Sequence, residues 1–216
     1  MHLATQWEFQ GLRPHIAVID AVSLTASRGV YHAAPIAAEI RKRGNIERLW
    51  YKGQNEYFVW GEITQDFILC DLPFDLFRSL TDKDFALVDL LGLEDINPER
   101  SLSATRRAFL GQAVVLDAPA GQTIGRAMSL FGLGMTTPSP MVEQFVYNIF
   151  QGWALGAMDV QFMAEAFVVG LRDTEEWADN CVILSNDQVD VLKGAFVNGV
   201  SRAAKERKKQ RQLHKV

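Results

Sequence analysis

The sequence of 216 residues has only two cysteines, Cys70 and Cys181, which stand 111 positions apart. Neither belongs to a CxxC pair, so a disulfide framework and a cysteine-based zinc site are both unsupported, and a reducing compartment is expected. Glycine and proline number 16 and 7 and follow no period, while 48% of the residues are hydrophobic. A collagen-like or disordered chain is therefore excluded, and a sizeable core is expected.

Long apolar runs are also missing. The longest uncharged run, Gln144 to Met158, has 15 residues, and a bilayer-spanning helix needs about 20. The opening residues, MHLATQWEFQ, contain no basic segment followed by an apolar one. We therefore expect no membrane span and no secretory signal, and a location in the cytoplasm or within a virion-like particle.

The sequence lacks the common catalytic motifs as well. It contains no GxxxxGK[ST], GxSxG, HExxH, GxGxxG or EF-hand pattern. Its four histidines (His2, His15, His32 and His214) show no metal-ligand spacing. These absences disfavour phosphate-loop and zinc-hydrolase mechanisms, and the sequence predicts no cofactor, no metal and no catalytic residue with a strong motif behind it.

What the sequence does contain is a strong separation of charge. From Arg202 to the end there are seven basic residues against one acid, a local charge of +6, so the preceding residues carry −10 of the formal net charge of −4. Between Gln54 and Glu99, eleven acids stand against two basic residues. A cationic tail of this density suits phosphates or the acidic face of another subunit, and a solvated helix end is the alternative.

Residue patterns predict an α+β fold. His15 to Asp20 is typical of a buried strand. Ser23 to Arg43 has a helical period, shown by the spacing of Ala33, Ile36, Ala37 and Ile40, and Gly44 is expected to end the helix. Ile46 to Ile63 contains two aromatic runs around a turn and predicts a β-hairpin, with a third strand from Phe67 to Asp71. We expect residues 1–118 to form this mixed α/β domain with a short antiparallel sheet.

The second half is predicted to be mostly helical. Residues 119–140 are rich in Gly and Pro and indicate a connection or a long functional loop. Residues 141–216 then form a helical region, which contains one long helix from Met141 to Leu171 that is apolar on all sides. The last helix begins near Ser185 or Asn186 and docks through its first half. Its second half lacks an apolar face, and we expect it to project as a basic arm.

Three weak patterns could carry chemistry. Asp20 and Asp71 each end an apolar strand, where converging carboxylates could hold Mg²⁺ as in metal-dependent nucleases. Five aromatic residues between Arg48 and Trp60 lie among basic residues and could stack on bases, although sheet core is their commoner fate. In the third pattern, Val30-Tyr31-His32 is followed by Ile36, Ile40 and Gly44.

This third pattern resembles the opening segment of ADP-ribosyl-transfer folds over about 15 residues. In those folds a histidine after an aromatic residue contacts the nicotinamide nucleotide. The resemblance implies that role for His32, and it implies that Glu62 stabilises the developing cation. A small enzyme of this class, or a metal-dependent nuclease, is therefore one alternative.

The leading hypothesis is a non-enzymatic structural or assembly subunit of a large complex, such as a virion component or a nucleoprotein assembly. Its partners would be copies of itself or other subunits, and a nucleic-acid-binding accessory protein that uses residues 202–216 is a second alternative. The residues expected to bind a partner come from the apolar helix and the tail: Phe150, Trp153, Arg202, Lys205, Arg207, Lys208, Lys209, Arg211 and Lys215.

Overall fold

The structure is a computed structural model that describes residues 10–44, 56–92, 104, 116–151, 159–173 and 185–213, with the backbone alone for residues 44 and 207–213. The described chain is α+β, as the sequence predicts. It groups into two compact units: residues 17–71, here the small unit, and residues 1–16 with 72–216, here the helical unit. The predicted division into 1–118, 119–140 and 141–216 stays a prediction.

The strands are β1 (His15–Ile19), β2 (Val30–His32), β3 (Tyr57–Val59) and β4 (Ile68–Pro73). A 3-10 turn, Gln65–Phe67, precedes β4. The described helices, in chain order, are α1 (Ala21–Ser27), α2 (Ala33–Gly44), α3 (Phe74–Thr81), α4 (Phe85–Leu91), α5 (Ala118–Leu130), α6 (Ser139–Gln151), α7 (Val160–Asp173) and α8 (Asn186–Leu213).

Local signals explain several of these boundaries. Asp20 begins α1, because its carboxylate accepts hydrogen bonds from the backbone N–H groups of Val22 and Ser23, each 3.0 Å long. Gly92 ends α4 in the left-handed conformation at φ 59°, which a residue without a side chain adopts easily. The predicted strands are confirmed as β1 and β4, although no residue of β1 is fully buried and β4 begins at Ile68. The helical period predicted from Ser23 to Arg43 is divided between α1 and α2, because β2 lies between them.

The predicted hairpin takes a different form in the described residues. β3 pairs with β2 in antiparallel register, with Val30 opposite Val59 and His32 opposite Tyr57. The partner that we expected for β3 lies in residues 45–55, outside the described residues. β1 and β4 form the other two-stranded sheet. Pairing of β3 with a strand that precedes α2 could not be inferred from turn residues, because it joins segments separated by a helix.

The helical unit contains a helix where the sequence predicted a connection. Within residues 119–140, α5 begins after Asp117, whose carboxylate accepts a hydrogen bond of 3.0 Å from the Ala120 N–H. Gly121 and Gly125 are buried because α5 lies directly on α7, where a Cβ at either position would overlap the carbonyl oxygen of Met163 or Phe167. The glycines thus mark close helix packing rather than a loop.

The single long helix predicted from Met141 to Leu171 is wrong, since α6 and α7 are separate. Residues 152–158 lie outside the described residues, but Asp159 is not helical. Its carboxylate accepts a hydrogen bond of 3.2 Å from the Phe162 N–H, so it caps a new helix. No helix in the described part of the chain is both long and apolar enough to cross a bilayer.

The core of the helical unit lies between α5, α6, α7 and α8. Phe196 of α8 contacts Phe150 of α6 and Phe167 of α7, with ring centroids 6.1 and 5.0 Å apart. All three rings are fully buried. The apolar surface of α6 and α7 is therefore largely covered within the chain itself, which removes the reason for expecting this whole surface to need a partner.

Candidate interaction site

The basic end of α8 is attached to α6 at its start. The Arg202 guanidinium lies 4.1 Å from the centroid of the Tyr147 ring, a cation–π contact. Its Nη1 donates a hydrogen bond of 3.1 Å to Gln144 Oε1 and lies 3.8 Å from Glu143 Oε1. Ala203, next along α8, is fully buried. The first turn of the predicted arm is thus held against the neighbouring helix.

One turn further on, Glu206 completes this attachment. The Tyr147 hydroxyl donates a hydrogen bond to Glu206 Oε2, and the Gln151 side-chain amide donates another of 3.3 Å to the same oxygen. The hydrogen bond to Glu206, followed by partial burial, raises the pKa of Tyr147 above its ordinary value of 10.0. The single acid of the basic tail therefore holds the C-terminal part of α8 against α6, together with Arg202. We call Tyr147, Arg202 and Glu206 the anchor.

We expect the anchor to contribute stability that disappears at alkaline pH. Because folding raises the Tyr147 pKa, the stabilisation is complete below pH about 10 and is lost as the pH rises through the folded-state pKa. Tyr147→Phe should lower the free energy of unfolding by about 1 kcal/mol at neutral pH. Urea unfolding at a series of pH values should show that the difference in free energy of unfolding between the wild type and the variant disappears above pH about 10.

The matched control is Tyr57→Phe, which changes an exposed tyrosine of the small unit. Its free energy of unfolding should equal that of the wild type at every pH. If the difference in free energy of unfolding between the wild type and Tyr147→Phe stays the same at high pH, the phenolic proton has no role in the anchor.

The structure corrects the predicted projecting arm for residues 202–206 and shows where the expected partner-binding residues lie. Arg202 belongs to the anchor, and Lys205 is exposed beside it. Phe150 is a core residue packed on Phe196, so its ring is not on the surface. The remaining expected residues lie outside the described residues or have side chains outside them: Trp153, Arg207, Lys208, Lys209, Arg211 and Lys215.

Beyond the anchor, the backbone of α8 continues as a helix to Leu213. This continuation, residues 207–213, is here called the basic end. It contains Arg207, Lys208, Lys209 and Arg211 and no acid. Since α8 has 28 residues and rises about 1.5 Å per residue, it is about 42 Å long. The backbone of the basic end thus continues a helix that is held at Tyr147 and Glu206.

The helical unit also carries exposed acids on and beside its shorter helices. Asp75 lies in α3, Asp82 follows it, and Asp89 lies in α4, and all three are exposed. They belong to the acidic stretch of residues 54–99. The described part of the chain thus supplies carboxylates of the kind that a cationic helix end attracts.

The small unit exposes an aromatic surface on the sheet formed by β2 and β3. Tyr31 stands opposite Phe58, and the Trp60 N–H donates a hydrogen bond of 2.8 Å to the Gly29 carbonyl, which extends the antiparallel register. Tyr31, Phe58 and Trp60 therefore share one face, since alternate residues of a strand point the same way. They are 53%, 46% and 81% exposed. We call these three residues the aromatic face.

The residues considered for catalysis do not form one set in the described chain. Asp71 lies inside β4, which continues to Pro73, so it does not end its strand as predicted. His32 stands at the end of the β2–β3 ladder where it contacts Tyr57, with ring centroids 5.1 Å apart, whereas Glu62 follows the opposite end. Asp20 is occupied as the α1 cap, and the hydrogen bond from the Ser23 hydroxyl is the largest cause that lowers its pKa. Among the described residues, no group of three or more His, Cys, Asp or Glu side chains could hold a metal ion.

Sequence reasoning missed the anchor. Tyr147 lies in the segment that the apolar pattern predicts as one long helix, and in the sequence Glu206 is only the lone acid of the tail. The contact joins residues 59 positions apart, so no local pattern reveals it. The only available hint was the position of a single acid within a strongly basic segment.

Comparisons with known proteins provide one similarity. A family model described as a domain of unknown function (DUF7587) matches residues 1–77. The matched range contains the whole small unit, residues 17–71, with its aromatic face, and it contains none of α4 to α8. No curated protein and no solved structure matches the chain.

Proposed function

We propose that this chain is a non-enzymatic assembly subunit whose copies join through the basic end of one molecule and the acidic surface of another. The observation that carries the proposal is the anchor: it fixes the base of a helix whose following residues include four cations and no acid. Fixing the helix before binding reduces the conformational entropy that association must overcome. The rest of the chain, with a charge of −10 outside the tail, supplies an acidic partner surface.

The aromatic face supports a second docking surface of the same subunit. Three apolar side chains of the small unit are buried among its described residues, Leu24, Ala33 and Ala37. By contrast, Trp60 is 81% exposed, and tryptophan and tyrosine are enriched in protein interfaces. A unit with a small core and an exposed aromatic sheet is suited to contact another protein, and we assign this surface to a different subunit of the assembly rather than to a second copy of this chain.

The test compares the full-length protein with a variant whose basic end is neutral: Arg207→Gln, Lys208→Gln, Lys209→Gln and Arg211→Gln. We expect sedimentation velocity at micromolar concentration to show an oligomer for the wild type at low salt. The oligomer should dissociate at about 1 M salt, where the Debye length falls to about 3 Å. The variant should be monomeric at both salt concentrations.

A matched control removes four cations from exposed positions elsewhere: Arg13→Gln, Arg28→Gln, Lys42→Gln and Arg172→Gln. It should assemble as the wild type does, because it has the same net charge as the test variant but keeps the basic end. A wild type that sediments as a monomer at both salt concentrations would overturn the proposal.

The same variants separate the assembly proposal from a nucleic-acid accessory function. If the wild type is monomeric alone but binds duplex DNA or RNA with an affinity that falls steeply with salt, and only the neutral basic end abolishes that binding, the nucleic-acid function replaces the proposal. The residues before Arg202 carry a net charge of −10 and repel a phosphate backbone, which disfavours this outcome.

A further inference from the structure

A cleft of about 710 Å³ lies in the helical unit, lined by the segment from Leu80 to Leu87, by part of α5 and by Asp173 at the end of α7. Its volume falls in the range of sites that bind small molecules, about 300 to 1,000 Å³. Most of the lining is apolar. Phe85 is 79% exposed beside the buried Leu87, so an aromatic ring with little protein contact borders the opening.

The acids that line this cleft are already engaged. Asp84 Oδ1 accepts hydrogen bonds from the backbone N–H groups of Ala86 and Leu87, of 3.1 and 3.3 Å. The Asp84 carboxylate also forms an ion pair of 2.7 Å with Arg126 Nε. Asp173 Oδ2 accepts a hydrogen bond of 2.6 Å from the Gln122 side-chain amide. Asp84 is therefore paired with a cation, whereas the exposed Asp173 accepts a hydrogen bond from a neutral amide and keeps its negative charge at the edge of the cleft.

The two cations of the cleft retain donors for a ligand. The side chain of Arg126 is only 21% exposed, and its described contacts use Nε and Nη2, with Nη2 3.3 Å from Thr123 Oγ1 and 3.4 Å from Asp84 Oδ1. The two protons on Nη1 take no part in those contacts. Lys83 is exposed at the cleft and forms no ion pair with another described residue. The site thus offers N–H donors beside apolar walls.

We propose that this cleft binds a small apolar molecule that carries one anionic group, with Lys83 and Arg126 contacting the anion and Phe85 and Leu130 contacting the apolar part. Partial burial strengthens the electrostatic contribution, because an anion beside Arg126 is less screened than one on the open surface. This binding site does not depend on the assembly proposal, since it involves neither the basic end nor the aromatic face.

Two fluorescent probes that differ in one charged group test the proposal on the full-length protein. They are 8-anilinonaphthalene-1-sulfonate and its uncharged analogue N-phenyl-1-naphthylamine. We expect saturable binding of the sulfonate at one site, and Ala86→Trp, which places a large ring in the cleft from an exposed position, should weaken it about tenfold or more. Ala38→Trp, at an exposed alanine of α2, is the control and should bind as the wild type does.

Charge reversal at the cleft tests whether binding requires an anionic group on the ligand. Lys83→Glu should weaken binding of the sulfonate by about tenfold and leave binding of the uncharged analogue within about twofold of the wild type. Sulfonate binding that Ala86→Trp leaves unchanged would overturn the site. Equal effects of Lys83→Glu on both probes would overturn the requirement for an anion.

Discussion

Replacing Gly170 with alanine is expected to prevent the helical unit from folding stably, whereas Gly194→Ala should stabilise it. A Cβ at Gly170 would overlap the backbone carbonyl of Gln122, so α5 and α7 would have to move apart. The displaced atoms are backbone atoms, which cannot rotate away as the end of a side chain can. We expect a loss of at least about 3 kcal/mol, a large part of a typical stability of about 5 to 15 kcal/mol.

Gly194 is the matched control for this substitution. It lies in α8, is exposed, and a Cβ there would meet no atom within 4 Å. Alanine should therefore raise the free energy of unfolding by up to about 1 kcal/mol, because glycine loses more backbone entropy in a helix.

Urea unfolding followed by circular dichroism measures both variants. Failure of Gly170→Ala to fold alongside a well-folded Gly194→Ala agrees with the prediction. Equal unfolding midpoints for Gly170→Ala and the wild type would mean that α5 and α7 do not approach as closely as the structure shows.

Phe196→Ala is expected to be the most damaging truncation of a core side chain. Its ring fills the space between Phe150 and Phe167, so it joins α8 to both α6 and α7. Removing a fully buried phenylalanine ring loses about 3 to 5 kcal/mol, since the cavity that remains is only partly filled by relaxation. In a domain of this size, the melting temperature should fall by about 10 °C or more.

The comparison for this variant is Phe162→Ala in α7, whose ring is 63% exposed. This substitution should change stability by no more than about 0.5 kcal/mol. Together, the two variants test whether the buried face of α7 is the one that packs against other helices of the same chain. A larger loss for Phe162→Ala than for Phe196→Ala would show that the outward face of α7 is the one buried in solution.

The anchor changes what the charge pattern means for assembly. From the sequence, the tail from Arg202 onward is one basic arm of local charge +6. In the structure, Arg202 and Glu206 are engaged by α6, so the charges available to a partner begin at Lys205 and the basic end. The proposed contact therefore depends on fewer cations than the sequence suggests, presented from a fixed helix.

Local features were predictable where a single residue decides the backbone. The last helix, α8, begins at Asn186, as predicted, and Asp187 lies in its first turn. The apolar positions Leu192, Phe196 and Val200 follow a helical period and are buried as expected. In each case the signal lies within about two turns of helix.

The predictions for residues 119–140 and for the long apolar helix differ from the structure for the same reason. The Gly and Pro residues of 119–140 resemble those of a loop until α7 is in place, because only then does the absence of a Cβ at Gly121 and Gly125 allow contact. Likewise, the break before Asp159 is invisible in a hydrophobicity pattern that continues on both sides. Composition alone does not distinguish a flexible glycine from one that is packed against a backbone.

By itself, the sequence determined the α+β class, the separation of an acidic body from a basic tail, the end of α2 at Gly44 and the start of α8 at Asn186. Those properties depend on composition and on neighbours within a few positions. The tertiary structure alone decided that β3 pairs with β2, that Phe150 is internal, and that Tyr147 holds Glu206. Each of these is a contact between segments far apart in the chain, and only packing selects one such contact among many of similar local energy.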